Sequence, residues 1–548
     1  MAGISAMLAL MVAAACGGGS GDDKPVCPRG KDLLLVNGRV LTMNVTDTEA
    51  DAVLVRDGRI LEVGEPDTID PCTETIDLDG RTVVPGLIDA HTHFLRNGQG
   101  PGHFVSAVET ASTHAELLAA MREQSARLAD DRFLTVLGGV MGMQFEKGRL
   151  PNLAELDVAL PNRPVYLQQG FNGPAVTNSV GKAYFESREI DVWDDGTIEG
   201  GSVGRALGEL IVGQTPIDKR RAIGEWMRYA TSVGLTTVQD QGCCGWFGAQ
   251  VPLGRAPGYG VYYDLWREGA LDLRLRLRYL SGGVPDATGR YPAAARMDNA
   301  VQQLGDDWMK VVGLGEFIAG AIGMAPNQRL IEGAYRHAAR RGWSVTQHSG
   351  SAAEHEAHLL AMEQVAEEFP IETLRWSLEH VFELTETQIM RLRLIGVGVG
   401  MQNQQYLKTG AQVVPSRSGP PFRSIVDAGL RASAGTDAAG VSPLSPWVSI
   451  YYMVTGKNAA GEVVNDGQQI TRMEALRLYT MGSAYQSFDE DRLGSIEAGK
   501  LADLVVLDVD YLEVPDEALR QTASVLTIVG GRVVHADRPF GELAETAW

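Results

Sequence analysis

His91 and His93 stand one residue apart at the end of an apolar run, VPGLIDAHTHFL, spanning residues 84–95. Side chains alternate along a strand, so residues i and i+2 share a face, and two imidazoles placed this way can close on one metal ion. Further reactive side chains sit within or at the ends of comparable runs: Lys310 in DWMKVVGLG, His348 after WSVTQ, His380 after LRWSLE and Asp437 in SAGTDAAG. A lone histidine at a strand end is more often a hydrogen-bonded structural residue than a ligand. Two in successive strands, with a His-x-His upstream, favour ligation. Asp437 has a plain alternative as a helix N-cap, but its strand-end position favours a metal ligand that also carries protons. Lys310 is either a side chain reaching for solvent or an amine carbamylated by CO2, which would become an anionic bridge between two cations.

Such residues act together only if their elements bring them together. Eight apolar strand-like runs alternate with helical patterns: TVVPGLIDAHTH, GLTTVQDQG, LRLRLRYLS, DWMKVVGLG, WSVTQHSG, LRWSLEHV, IGVGVGMQNQ and LRASAGTD. Repeated βα units of this kind predict an α/β fold, a (β/α)8 TIM barrel over residues 85–490 whose strand C-termini form one ring of reactive side chains. An insertion at about 135–235, containing PVYLQQGFNGPAVTNS, is expected to form a lid or pocket wall. Residues 32–84 and 491–540 share a grammar of short alternating strands. Asn37-Gly38, Asp57-Gly58, Asp79-Gly80 and Gly530-Gly531 read as hairpin turns, and one small β-sandwich built from both chain ends is expected.

The chain has 548 residues, 21% charged and 44% hydrophobic, the balance of a folded globular protein. A net charge of -21 argues against nucleic acid and anionic membrane surfaces as partners. Five cysteines are too few for a disulfide scaffold. Residues 1–15 form a short apolar segment ending in VAAAC, and GGGSGDDKP follows. This order resembles a bacterial lipoprotein signal with Cys16 as the lipidated residue and 16–31 as a tether, although no Lys or Arg stands in the first ten residues. A lipid-anchored place in the bacterial cell envelope, periplasmic or outer-membrane, is expected, with a cytoplasmic place if the signal does not function. In an oxidising compartment Cys27 and Cys72 could pair. The state of Cys243 and Cys244 is open, and so is homo-oligomer formation.

The motifs resemble the amidohydrolase superfamily, most closely its YtcJ-like branch, amidohydrolase family 3. PGLIDAHTH resembles the family's opening motif, SLEHV its strand-six histidine, SAGTDAAGVSPLSPW its strand-eight aspartate and RLGSIEAGKLADLVVLD its closing signature. The resemblance runs from about Asp32 to His535. It implies hydrolysis of a small-molecule C–N bond other than a peptide bond, in an N-acyl, formamide or cyclic amide group, at two divalent metal ions, usually zinc. His91 and His93 would hold one ion, His348 and His380 the other, with carbamylated Lys310 between them. A hydroxide bridging the ions would attack the carbonyl, and Asp437 would carry its proton to the leaving nitrogen. Departures lie around the ligands: GLGEFIAG follows the lysine, Ser349-Gly350-Ser351 follows the strand-five histidine, and Asn172 stands where the family often has a histidine. Asn172, Gln241 and Glu316 are the substrate-binding candidates. One alternative is a mononuclear deaminase of the same superfamily, disfavoured because Ser351 replaces its usual glutamate. The other is a non-catalytic surface binding lipoprotein on this scaffold.

Overall fold

Apolar runs buried on both faces are the mark of parallel strands covered by helices, and here they build the centre of the molecule. The computed structural model describes residues 32–543 apart from 243–257, 281–285, 287–289, 321–325, 409–418 and 439. The central strands are β1 (Leu87–Thr92), β2 (Leu235–Asp240), β3 (Arg274–Leu280), β4 (Met309–Gly315), β5 (Thr346–Ser349), β6 (Ser377–His380), β7 (Gly398–Met401) and β8 (Ala432–Ala434). They correspond one for one to the eight runs read from the sequence. They form two four-stranded parallel sheets, ordered β4-β3-β2-β1 and β5-β6-β7-β8. A bridge from Leu314 to Val345 joins one seam. At the other, the Asp437 amide donates to the His91 carbonyl at 2.7 Å and the His93 amide to the Ala438 carbonyl at 3.1 Å. Together they make the (β/α)8 barrel.

The barrel interior is unusually polar. Strand β3 reads RLRLRYL, and Arg274, Arg276 and Arg278 are all fully buried. Arg274 pairs with Asp503 through two bonds of 2.8 Å, and Arg276 with Asp489 at 2.6 Å. Arg278 reaches Gln239 of β2, Ser344 before β5 and the Gln486 carbonyl. Burying guanidinium groups is tolerable only when they are paired in this way.

Both chain ends meet in one pair of sheets. A four-stranded sheet has the order Arg59–Val63, Val53–Arg56, Asp32–Val36, Thr73–Asp77. A six-stranded sheet joins Arg532–Ala536, Ser524–Val529 and Leu504–Leu507 to Thr82–Pro85, Arg39–Leu41 and Glu49–Ala50. Leu35, Val53, Ile76, Val83, Leu504 and Ile528 belong to the apolar core of this unit. Asp57-Gly58 and Gly530-Gly531 turn hairpins, as expected. Asn37-Gly38 and Asp79-Gly80 do not: each passes the chain from one sheet to the other. Their positive φ values suit a sharp corner as well as a hairpin, so turn chemistry alone could not separate the two.

The insertion carries its own five-stranded sheet, running from His103–Phe104 to Thr197–Ile198, and so begins earlier than residue 135. Glu109 ties it to the barrel. Its buried carboxylate accepts from the amides of Leu444 and Ser445 at 2.7 and 3.1 Å and from the Tyr229 hydroxyl. The signal and tether segments, Cys16, Cys27, Cys243 and Cys244 lie outside the described residues. Cys72 is disulfide-bonded.

Candidate metal centre

The C-terminal ends of β1, β5, β6 and β8 bring His91, His93, His348, His380 and Asp437 together. The carboxylate at their centre belongs to Glu316, the first residue after β4. Glu316 Oε2 lies 3.2 Å from His93 Nε2, while Oε1 lies 3.2 Å from His348 Nδ1, 3.2 Å from His380 Nε2 and 3.5 Å from His91 Nε2. Its two oxygens therefore face the two histidine pairs. Asp437 Oδ1 completes the wall at 3.7 Å from His91 Nε2 and 3.4 Å from His93 Nε2.

Lys310 is not part of this cluster. It is the second residue of β4, six before Glu316, which separates them by roughly 20 Å along a strand at about 3.3 Å per residue. Its Nζ donates to Asp489 at 2.8 Å among the ion pairs with Arg276 at the N-terminal end of the barrel. A carbamate on Lys310 would face Asp489 rather than the histidines, so the expected bridging role passes to Glu316. Gln241 is likewise committed elsewhere. Its Nε2 donates to the Ala90 carbonyl at 3.0 Å and its Oε1 accepts from the Thr346 hydroxyl at 2.6 Å, locking β1, β2 and β5. Asn172 is exposed in the turn between Val165–Gln168 and Ala175–Val176.

The alternation rule overlooked Glu379, the neighbour of His380. Its Oε2 accepts from His91 Nδ1 at 2.9 Å, and Ser377, Gln402 and Gln486 donate to the same carboxylate. Adjacent strand residues normally face opposite ways, but His380 has φ +72° and turns its ring inward beside Glu379. Glu316 (φ +41°) and Asp437 (φ +56°) are in the same left-handed region. Non-glycine residues held there are strained, and such strain gathers at functional sites. Two glycines make the room. A Cβ at position 400 would lie 1.9 Å from Glu379 Oε2, and one at 435 would lie 2.4 Å from the His91 amide nitrogen.

Hydrogen bonding to Glu379 places the proton of His91 on Nδ1 and directs the Nε2 lone pair at Glu316 and Asp437. That nitrogen is fully buried and has no hydrogen-bond partner, an arrangement a cation would satisfy. Among the described residues, two sets of three side chains have all their donor atoms within 4.8 Å of one another: His91, Glu316, His380 and His91, His93, Asp437. Imidazole and carboxylate donors in this proportion suit a divalent ion such as zinc. Burial favours the neutral acid at Glu316, yet His93 and the other imidazoles outweigh it and hold the carboxyl well below its usual range. Burial opposes protonation of His91, but Glu316 and Glu379 raise its pKa. For His380 burial prevails and, with the charge of His348, lowers it.

The ring opens at His348, whose side chain is 22% exposed against 0% for His91 and 1% for His380. Phe317 stacks on His348 at 5.1 Å and Phe382 on His380 at 6.1 Å. Gln404 contacts both His380 Nδ1 and Asp437.

Residues 74–535 match the amidohydrolase family. The chain is 26% identical to an N-substituted formamide deformylase of Arthrobacter pascens, covering 91% of this chain and 98% of that protein. It is 24% identical to the putative amidohydrolase YtcJ of Bacillus subtilis, with 91% and 98% covered. Among solved structures, an uncharacterized metal-dependent hydrolase of Pyrococcus furiosus shares the fold at a TM-score of 0.57 and 20% identity, with 88% of this chain and all of that one covered. The atrazine chlorohydrolase TrzN of Arthrobacter aurescens, complexed with zinc, aligns at a TM-score of 0.54 and 18% identity over 94% and 97%. With the barrel, its histidine ring and a match across most of its length, the chain belongs to the amidohydrolase family and resembles its YtcJ-like members.

Proposed function

We propose that the protein hydrolyses a non-peptide C–N bond in a small amide, N-acyl, formamide or cyclic amide substrate, using two divalent metal ions, with zinc the best-suited candidate. The observation that carries this reading is the placement of Glu316, whose two oxygens face separate histidine pairs. His91, His93 and Asp437 would hold one ion and His348 and His380 the other, with Glu316 shared between them. When bound, the ions supply an acidified water as nucleophile and polarise the substrate carbonyl. Asp437 accepts the water proton on a carboxylate oxygen and returns it to the departing nitrogen, while Gln404 orients that carboxylate. Glu379 keeps His91 in the tautomer that presents Nε2.

Support for the bond class comes from the formamide deformylase, which is similar to this chain over nearly its full length. The test is a screen of zinc-loaded protein against N-acyl, formamide, cyclic amide, carbamate and ester libraries, alongside metal analysis. Turnover of amides with about two ions per chain is expected. One ion per chain, or ester turnover without amide turnover, would overturn the reading. We also propose lipid-anchored export through Cys16, supported by the disulfide at Cys72, a bond that persists in oxidising compartments.

A further inference from the structure

Three residues beyond His93, on the helical turn Phe94–Asn97, Arg96 is 4% exposed. Its guanidinium carbon lies 5.8 Å from the ring centroid of Phe171. Phe171 comes from the insertion, where Gln168 Nε2 donates to its carbonyl at 3.0 Å and fixes the turn. The loop after β8 makes room for the ring: a Cβ at position 440 would lie 2.5 Å from it. Barrel and insertion thus meet here, a cation from one beneath an aromatic face from the other.

The acidic neighbours of Arg96 define what this place can accept. Burial lowers its pKa, and Asp437, Asp240 and Glu316 are close enough for their charges to oppose that. Asp240 is a spent acceptor, because its two oxygens take the amides of Leu95 at 2.9 Å and Gly242 at 3.1 Å. Asp437 and Glu316 are the carboxylates that divalent ions would engage. With their charge committed to the ions, the guanidinium beside them calls for an anion. A planar guanidinium matches a carboxylate through paired N–H bonds, and the aromatic face above it excludes water.

We propose that Arg96, covered by Phe171, is a subsite for a carboxylate borne by the substrate close to its scissile amide, so that the substrate class is N-acyl amino acids and comparable anionic amides. This deepens the amide-hydrolysis reading and rests on it for the reaction, but not for the binding.

The experiment compares N-acetylphenylalanine with N-acetyl-2-phenylethylamine, which lacks the carboxylate, on zinc-loaded protein. Calorimetry of N-methanesulfonylphenylalanine and its carboxamide, neither of which is hydrolysed as an N-acyl amide, gives a readout independent of turnover. The expected result is a preference on the order of tenfold or more for the anionic member in kcat/KM and in binding. The preference should shrink to about threefold or less in Arg96→Gln and be partly kept in Arg96→Lys. Phe171→Ala, on a surface turn, should also reduce it and serves if Arg96→Gln does not fold. Equal binding of both analogues by the unaltered protein, or an undiminished preference in Arg96→Gln, would overturn the subsite. Arginine-dependent binding without turnover of either amide would keep the subsite and remove the amide-hydrolysis reading instead.

Discussion

Glu316 and Lys310 lie on the same strand, and one position along it decides which can meet the histidines. Replacing Glu316 with Gln should bring bound metal below one ion per chain by elemental analysis and cost activity by at least ~100-fold, in line with losing a ligand at a hydrolytic centre. Lys310→Gln should leave the metal content unchanged, and added bicarbonate should not alter the activity of either protein. Its effect belongs to stability, about 1–3 kcal/mol from leaving Asp489 with one donor fewer. Metal loss in Lys310→Gln would restore the carbamate. Asp437→Asn keeps the shape but not the basicity, and kcat should fall by roughly 10²–10⁴-fold with a smaller change in KM. Full activity in that variant would exclude Asp437 as proton carrier.

The loop after β8 carries Asp437 and is held from several sides at once. Thr92, His93 and Asn97 all reach the Ala438 carbonyl, and Glu109 of the insertion binds the amides that open the helix Pro446–Thr455. Burial pushes the Glu109 carboxyl up from 4.5 to about 7, although Tyr229 and the two amides favour its ionised form. Its folded-state pKa is therefore raised, and the folded protein binds the extra proton between these values. Stability from this group is present below about pH 4.5 and is lost as pH rises toward 7. Urea denaturation at pH 5 and pH 8 should show the protein losing stability over this interval and Glu109→Gln losing less. An unchanged difference would mean that Glu109 is not the titrating group.

Across the whole molecule the barrel divides along its axis into an ionic floor and a metal-binding rim. Glu379 links the two, since it holds His91 above and Gln486 below, beside Arg278. The floor also joins barrel to sandwich, because Asp503 lies just before Leu504–Leu507 and pairs with Arg274 of β3. Asp503→Ala leaves a guanidinium buried without its carboxylate and should cost about 3–5 kcal/mol, read as a lower denaturation midpoint. A loss under 1 kcal/mol would mean the floor is not a structural tie. For the anchor, Cys16→Ser should release the protein from the membrane fraction. Continued sedimentation with membranes would exclude lipidation at that residue.

The sequence by itself determined the eight barrel runs and five of the side chains brought together at their ends, His91, His93, His348, His380 and Asp437. Strand periodicity and the order of βα units suffice for that, because side chains at strand C-termini must meet in a closed parallel barrel. Tertiary structure decided the sixth member. Depth along the barrel axis separates Lys310 from Glu316, and depth follows from where a strand begins, which an apolar run does not mark. It also decided Glu379 and the inward turns at Glu316, His380 and Asp437, where left-handed backbone breaks the alternation on which sequence reading depends. Gln241 fell to the opposite cause: it sits at a strand end like the ligands, but neighbouring strands claim both ends of its amide. Arg96 and Phe171, 75 positions apart, become neighbours only because the insertion folds back over the first barrel strand.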